Sequence, residues 1–277
     1  MNESTGRDVA LVGPGRAGTA VALALVDAGS RIVAVAGRTP DAPSTRAASD
    51  RFGAVAVAAE DVGRDADIVL LATPDDAIER VAARVAPGLR TGTLVLHLSG
   101  ARGLDALAPV TERTDVEVGA IHPLQTLPSG EAGRDALRGA WAAVAGTDRV
   151  TELAAAIGLR PFCIDDADRA TYHAAACVAS NHLVALLGQV ERLAGVAGVP
   201  LEAFGPLVRS SVEHALALGP SDALTGPVAR GDAATLAAHL DAIPVHEHDT
   251  YRALAGEARR LSDREDAALR ALLEVPT

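Results

Sequence analysis

A chain of 277 residues, 49% of them hydrophobic and 22% charged, has material for a sizeable core and length for two domains. The net charge of -11 argues against a nucleic-acid partner or an anionic membrane surface, so any anion site must be a local basic spot. All 25 basic residues are arginines, which removes lysine acids, lysine bases and Schiff bases from any mechanism.

Residues 1–7 form a polar tail without the apolar core of an export signal, and the expectation is a cytoplasmic protein with no membrane span. An apolar run over 9–12 predicts a strand, and residues 19–26 read as a helix. Between them Gly13, Gly15 and Gly18 stand at GxGxxG spacing, with Arg16 and Ala17 completing the loop. A strand, a glycine turn and a helix N-terminus together offer a pyrophosphate close backbone approach and unpaired N–H groups. A second strand over 31–36 ends at Gly37, Arg38 and Thr39. An NAD site expects a carboxylate about 20 residues past the glycines. A guanidinium and a hydroxyl stand there instead, and they suit the 2′-phosphate of NADP(H).

A short helix is expected within 40–51 and a buried strand over 66–72, whose end places Thr73 and Pro74 at the dinucleotide cleft. Asp75 and Asp76 are expected to cap the helix over 77–85. Strands over 93–98 and 116–121 carry His97, Ser99 and His122 to the sheet edge where a nicotinamide would lie. Two more strands, 141–145 and 160–164, flank a helix over 148–157. Near residue 165 strand–helix alternation gives way to helices alone. The fold class is therefore α/β, a doubly wound Rossmann sheet over residues 1–165 followed by an all-α domain over 166–277. Cys163 and Cys177 lack CxxC spacing and read as buried free thiols.

The helical part opens with a long helix over 166–197, apolar nearly all round from 174 to 187 and so expected to be buried on most sides. His173, Cys177 and either Ser180 or Asn181 share one stripe of it, facing a substrate or bonded to neighbouring backbone. A helix over 206–218 follows, then the broken segment 224–232, in which Asp232 is a plausible N-cap for a helix over 233–241. Arg230 there suits a carboxylate substrate or a domain-interface ion pair. His246 and His248 form an HxH without further ligands at metal spacing, so no metal is expected.

The glycine loop, Ile121-His122-Pro123-Leu124-Gln125-Thr126, the run from Tyr172 to Cys177 with Ser180-Asn181, and the segment 224–232 resemble a family of Rossmann-like proteins with a helical C-terminal domain. That family is similar to ketopantoate reductase, pyrroline-5-carboxylate reductase and the β-hydroxyacid dehydrogenases, within the 6-phosphogluconate dehydrogenase-like superfamily. The resemblance implies an NADP(H)-dependent, ketopantoate reductase-like oxidoreductase of a small oxo acid, dimeric through its C-terminal domain. Where common-type ketopantoate reductase and the β-hydroxyacid dehydrogenases keep a catalytic lysine on the first helix of the second domain, this chain offers His173. His173, or failing that His122, would protonate the alkoxide, a histidine being protonatable near neutral pH. Ser99 and Asn181 would orient the substrate and Arg230 would hold its carboxylate. Two other functions remain open: reduction of a cyclic imino acid, and non-catalytic binding of NADP(H) in response to cofactor state.

Overall fold

The computed structural model describes residues 6–263 and 266–273. Eight strands form one sheet: β1 (Asp8–Val12), β2 (Arg31–Ala36), β3 (Val55–Ala56), β4 (Ile68–Leu71), β5 (Leu94–His97), β6 (Glu117–Pro123), β7 (Trp141–Gly146) and β8 (Arg160–Cys163). Their order is β3-β2-β1-β4-β5-β6-β7-β8, so the chain starts in the interior and winds outward both ways. Alternate residues of the central strands feed two separate cores. Val9, Leu11, Ile68 and Leu70 belong to one, and Ala10, Val12, Val69 and Leu71 to the other. Helices on both faces are what allow such near-continuous apolar strands to be buried.

Those helices are α1 (Arg16–Asp27), α2 (Pro43–Phe52), α3 (Ile78–Val85), α4 (Ala108–Thr111), α5 (Glu131–Leu137) and α6 (Asp148–Ala156). Two features of the sheet go beyond the sequence reading, and two local expectations need correction. The two-residue β3 lacks the length to be read from an apolar pattern and is held only by pairing with Ala34 and Val35. β6 and β7 run antiparallel, and Leu124 N–H donates to Trp141 O at 2.8 Å where the strands close. Their connection, carrying α5 against α1, is thus a long hairpin loop and not a crossover. Asp75 and Asp76 make no side-chain cap bond; with Ala77 they form a 3-10 turn that leads into α3. Cys163 is exposed and not buried, because it ends the outermost strand β8.

After the sheet, α7 (Arg169–Cys177) passes through a π-helical stretch, Val178–His182, into α8 (Leu183–Val196). The break from α-helical winding coincides with the polar run Ser180-Asn181-His182. Ser180 Oγ donates back to Ala176 O at 2.7 Å, a side-chain bond that competes with the helix backbone. The chain divides into two compact units between Ser180 and Asn181, later than the change of pattern near residue 165. Tertiary contact explains the shift: Tyr172 of α7 packs edge-on against Phe162 of β8 and against His122 of β6.

The second unit comprises α8, α9 (Gly205–Leu218), α10 (Pro220–Ala223), α11 (Pro227–Arg230), α12 (Ala233–Ala242), α13 (His248–Leu261) and α14 (Ala267–Leu273). Its core gathers Val228, Leu236, Ala255, Leu269 and Leu273. Asp232 caps α12 as expected, accepting from Thr235 N–H at 3.0 Å. Arg192 of α8 pairs with the buried Glu247, which also accepts from Gln189 Nε2 at 3.1 Å. The Arg192 guanidinium holds the Glu247 carboxyl below the usual carboxylate range.

The apolar stretch 174–187 is not buried within the chain: neither α7 beyond Arg169 nor the π-helical stretch holds a buried residue, and Val184 is 69% exposed. The neighbouring helices of the second unit are too few to surround an all-apolar helix. No single helix among the described residues is long and apolar enough to cross a membrane.

Candidate active site

The glycine loop is shaped by three different requirements. Gly13 has φ +87°, a left-handed conformation, and a Cβ there would lie 2.6 Å from Ala72 O. A Cβ on Gly18 would lie 2.6 Å from Gly13 O and 2.7 Å from Ala72 Cβ, so this residue lets α1 pack on the loop. Around Gly15 no atom comes within 4 Å of a Cβ position, which leaves its exposed face open to a ligand. Gly15 is the N-cap of α1, with no side-chain cap bond and no acidic residue in the first turn. The helix start therefore keeps its N–H groups and positive dipole end for an anion.

Arg16 and Ala17 open α1 behind this loop. Arg38 and Thr39 are exposed just beyond β2, the place for an adenosine ribose in such a sheet. Thr73 and Pro74 follow β4 beside Gly13, and Thr73 Oγ1 is buried without a hydrogen-bond partner among the described residues. A buried orphan hydroxyl is costly unless a ligand or water completes it. The open face at Gly15, the free helix start and this hydroxyl together fit a dinucleotide.

A second group of side chains lies at the ends of β5 and β6. His97 is fully buried; its Nε2 bonds Gly103 O at 3.1 Å and its Nδ1 accepts from Ser99 N–H at 3.2 Å. Burial lowers its pKa to about 4, so it stays neutral and ties the 99–103 loop to the strand. Ser99 Oγ accepts from the N–H groups of Ala101 and Arg102 at 3.2 and 3.0 Å. Its oxygen is committed to the loop, and only its O–H remains to orient a substrate.

Gly100 explains how the next residues come together. A Cβ there would lie 2.7 Å from His122 Cε1 and 2.8 Å from His173 Cδ2, so the absent side chain lets two imidazoles from distant segments close on the loop. The His122 and His173 rings stand 5.9 Å apart at 69°. His122 Nδ1 bonds Tyr172 Oη at 2.7 Å. Burial, with the neighbouring His173 and Arg169, lowers the pKa of His122 to about 4. On the expected stripe of α7, Cys177 Sγ lies 4.0 Å from His173 Nδ1.

Sequence reading missed Tyr172, Gly100 and Arg169. Tyr172 immediately precedes His173 and is one of only two tyrosines, but its partner is 50 residues away. Arg169 is 1% exposed and donates from Nε to Asp166 Oδ1 at 2.7 Å; its two terminal nitrogens are buried without partners among the described residues. Asn181 and Arg230 belong to the second unit, where Arg230 is exposed at the end of α11.

Two family models divide this chain. Residues 3–123 match a Rossmann-like domain and residues 141–258 match "Domain of unknown function (DUF2520)". The DUF2520 match begins at Trp141, so it takes in β7, β8 and α7 as well as the helices beyond.

A candidate NADP oxidoreductase from Bacteroides fragilis superposes on this chain with a TM-score of 0.78 at 22% identity, covering 93% of this chain and 100% of that one. Plasmodium falciparum pyrroline carboxylate reductase, solved with NADP bound, superposes with a TM-score of 0.62 at 13% identity, covering 97% and 100%. These likenesses show a shared fold, one used by nicotinamide-dinucleotide oxidoreductases. D-apionate oxidoisomerase of Cupriavidus necator is 36% identical over 78 residues, a match that spans 28% of each chain.

Proposed function

We propose that this protein is an NADPH-dependent reductase of a small oxo acid, with ketopantoate the first substrate to test. The observation that carries the reading is the meeting of His122, Tyr172 and His173 around Gly100, at the strand ends of the same sheet that bears the glycine loop. When bound, the dinucleotide supplies a hydride. The oxygen must then gain a proton, and with no lysine in the chain it comes from a histidine, His173 or His122, from a hydroxyl or from water. Ser99 and Asn181 orient the substrate, and Arg230 holds its carboxylate. Arg38 and Thr39 recognise the 2′-phosphate.

The test is NADPH oxidation by the full chain with a panel of 2-oxo acids and cyclic imino acids. Ketopantoate turnover whose KM rises while kcat stays unchanged on Arg230→Ala is the expected result. The pyrroline carboxylate reductase likeness favours the cyclic imino acid as second reading. Turnover of the imine alone, insensitive to both histidines, replaces the first reading with it, since an iminium substrate already carries its proton. No oxidation with any member of the panel leaves a non-catalytic NADP(H)-binding protein.

The exposed helices support a homodimer. Val184 on α8 and Leu207 and Leu216 on α9 are 69%, 63% and 83% exposed, a cost that a second copy of this unit removes. Light scattering at micromolar concentration should give a homodimer, and Leu216→Glu should shift it to monomer. A wild-type monomer would contradict this assembly.

A further inference from the structure

The reductase reading leaves open which group gives its proton to the substrate oxygen. We propose that Tyr172 is that last donor, giving its phenolic proton to the substrate oxygen, and that His122 restores it. This rests on the oxo-acid reductase reading above.

The geometry sets the roles. His122 Nδ1 and Tyr172 Oη are 2.7 Å apart, a short hydrogen bond between side chains brought together from β6 and α7. His122 Nε2 has no hydrogen-bond partner among the described residues and faces the backbone gap left by Gly100. The groups that act on His122 are His173, Arg169 and His97, which disfavour its charged form, and Asp75, which favours it. With a pKa of about 4 the ring is neutral at pH 7, carrying one N–H. A neutral imidazole is itself a poor acid toward an alkoxide. It is a good donor to a phenol oxygen, and Nδ1–H donating to Oη leaves the phenolic hydrogen free to point at a substrate.

Arg169 completes the arrangement. Its guanidinium is buried, held by Asp166 through Nε alone, and its charge acts on both His122 and Tyr172. Burial raises the Tyr172 pKa and Arg169 opposes that rise, so the cation favours the phenolate that appears when the proton leaves. Tyr172 is half-buried.

The step balances as follows. The reduced nicotinamide loses a hydride to the carbonyl carbon, a C–H bond forms, and the carbonyl π pair moves to oxygen. That oxygen takes the hydrogen of Tyr172 Oη. The phenolate takes the proton on His122 Nδ1 while Nε2 accepts one from water, so the sum consumes one reduced dinucleotide and one solvent proton per carbonyl.

Two measurements test this. Nitrogen-15 spectra of the His122 ring in the free protein should show hydrogen on Nδ1 and none on Nε2, and Tyr172→Phe should push its titration lower still by removing an acceptor that favours the imidazolium. The reverse tautomer, or an upward shift, overturns the proposal, because the phenolic hydrogen would then be held by the ring.

The second measurement is turnover. Tyr172→Phe keeps the ring against Phe162 and should bind NADPH as the wild type does, while kcat falls by about 10² to 10⁴ and the remaining rate loses the wild type's decline at high pH. Wild-type rate in Tyr172→Phe, with the loss confined to His173→Gln, overturns the proposal and makes His173 the donor. A wild type that reduces no oxo acid overturns the reductase reading and this proposal with it.

Discussion

Gly15→Ala should weaken NADPH binding by about tenfold or more while leaving the melting temperature unchanged, and Gly18→Val should abolish binding altogether. The contrast comes from what each new side chain meets. At Gly15 the added methyl finds open space in the protein, so folding is indifferent to it, but it projects where a pyrophosphate must approach the backbone. At Gly18 the first added carbon sits 2.6 Å from Gly13 O and 3.1 Å from Leu11 Cδ1. Backbone cannot rotate away as a side chain can, so α1 must shift off the loop, and overpacking of this kind costs about 1–3 kcal/mol of stability. Fluorescence titration with NADPH, beside thermal unfolding, checks both variants. Equal affinity for Gly15→Ala and the wild type would remove the loop from the cofactor site.

The second large effect is the exchange of cofactor preference in Arg38→Asp. Two unit charges 4 Å apart in water interact by about 1 kcal/mol, and replacing +1 with −1 opposite a phosphate dianion changes four such products. Salt screening at the exposed end of β2 reduces the total to roughly half, about 2 kcal/mol, or some thirtyfold in NADPH affinity. NADH lacks the phosphate and should bind the variant at least as well as the wild type. Titrating both dinucleotides against both proteins measures the ratio; a wild type that binds them equally would contradict the assignment of Arg38 and Thr39.

The parts legible from the chain were those whose physics is local. Burial on both faces makes a central parallel strand a short apolar run, and β1, β4 and β5 stand out for that reason, whereas the two-residue β3 does not. The turn at Gly13 needs a left-handed backbone, and Asp232 caps a helix three residues from its bonding partner. Such features involve neighbours in sequence, so residue type and spacing suffice to name them. The same holds for the absence of lysine, which confines acid chemistry to other groups before any coordinates exist.

Distant contacts were not legible in that way. The capping role expected of Asp75 and Asp76 gave way to a 3-10 turn. The first helix after the sheet looked like the start of a separate domain, yet Phe162 and His122 draw Tyr172 and the rest of α7 into the first unit. Composition predicted a buried helix over 174–187, but burial depends on how many neighbours exist to cover it, and within one chain they are too few. Residue chemistry and local spacing thus specified the sheet, the glycine loop and the histidines at the strand ends. Folding alone selected the working partners, because Gly100, His122, Tyr172 and Arg169 come from three separated segments and acquire their hydrogen bond, their lowered or raised pKa values and their shared electrostatic field only when packing excludes water around them.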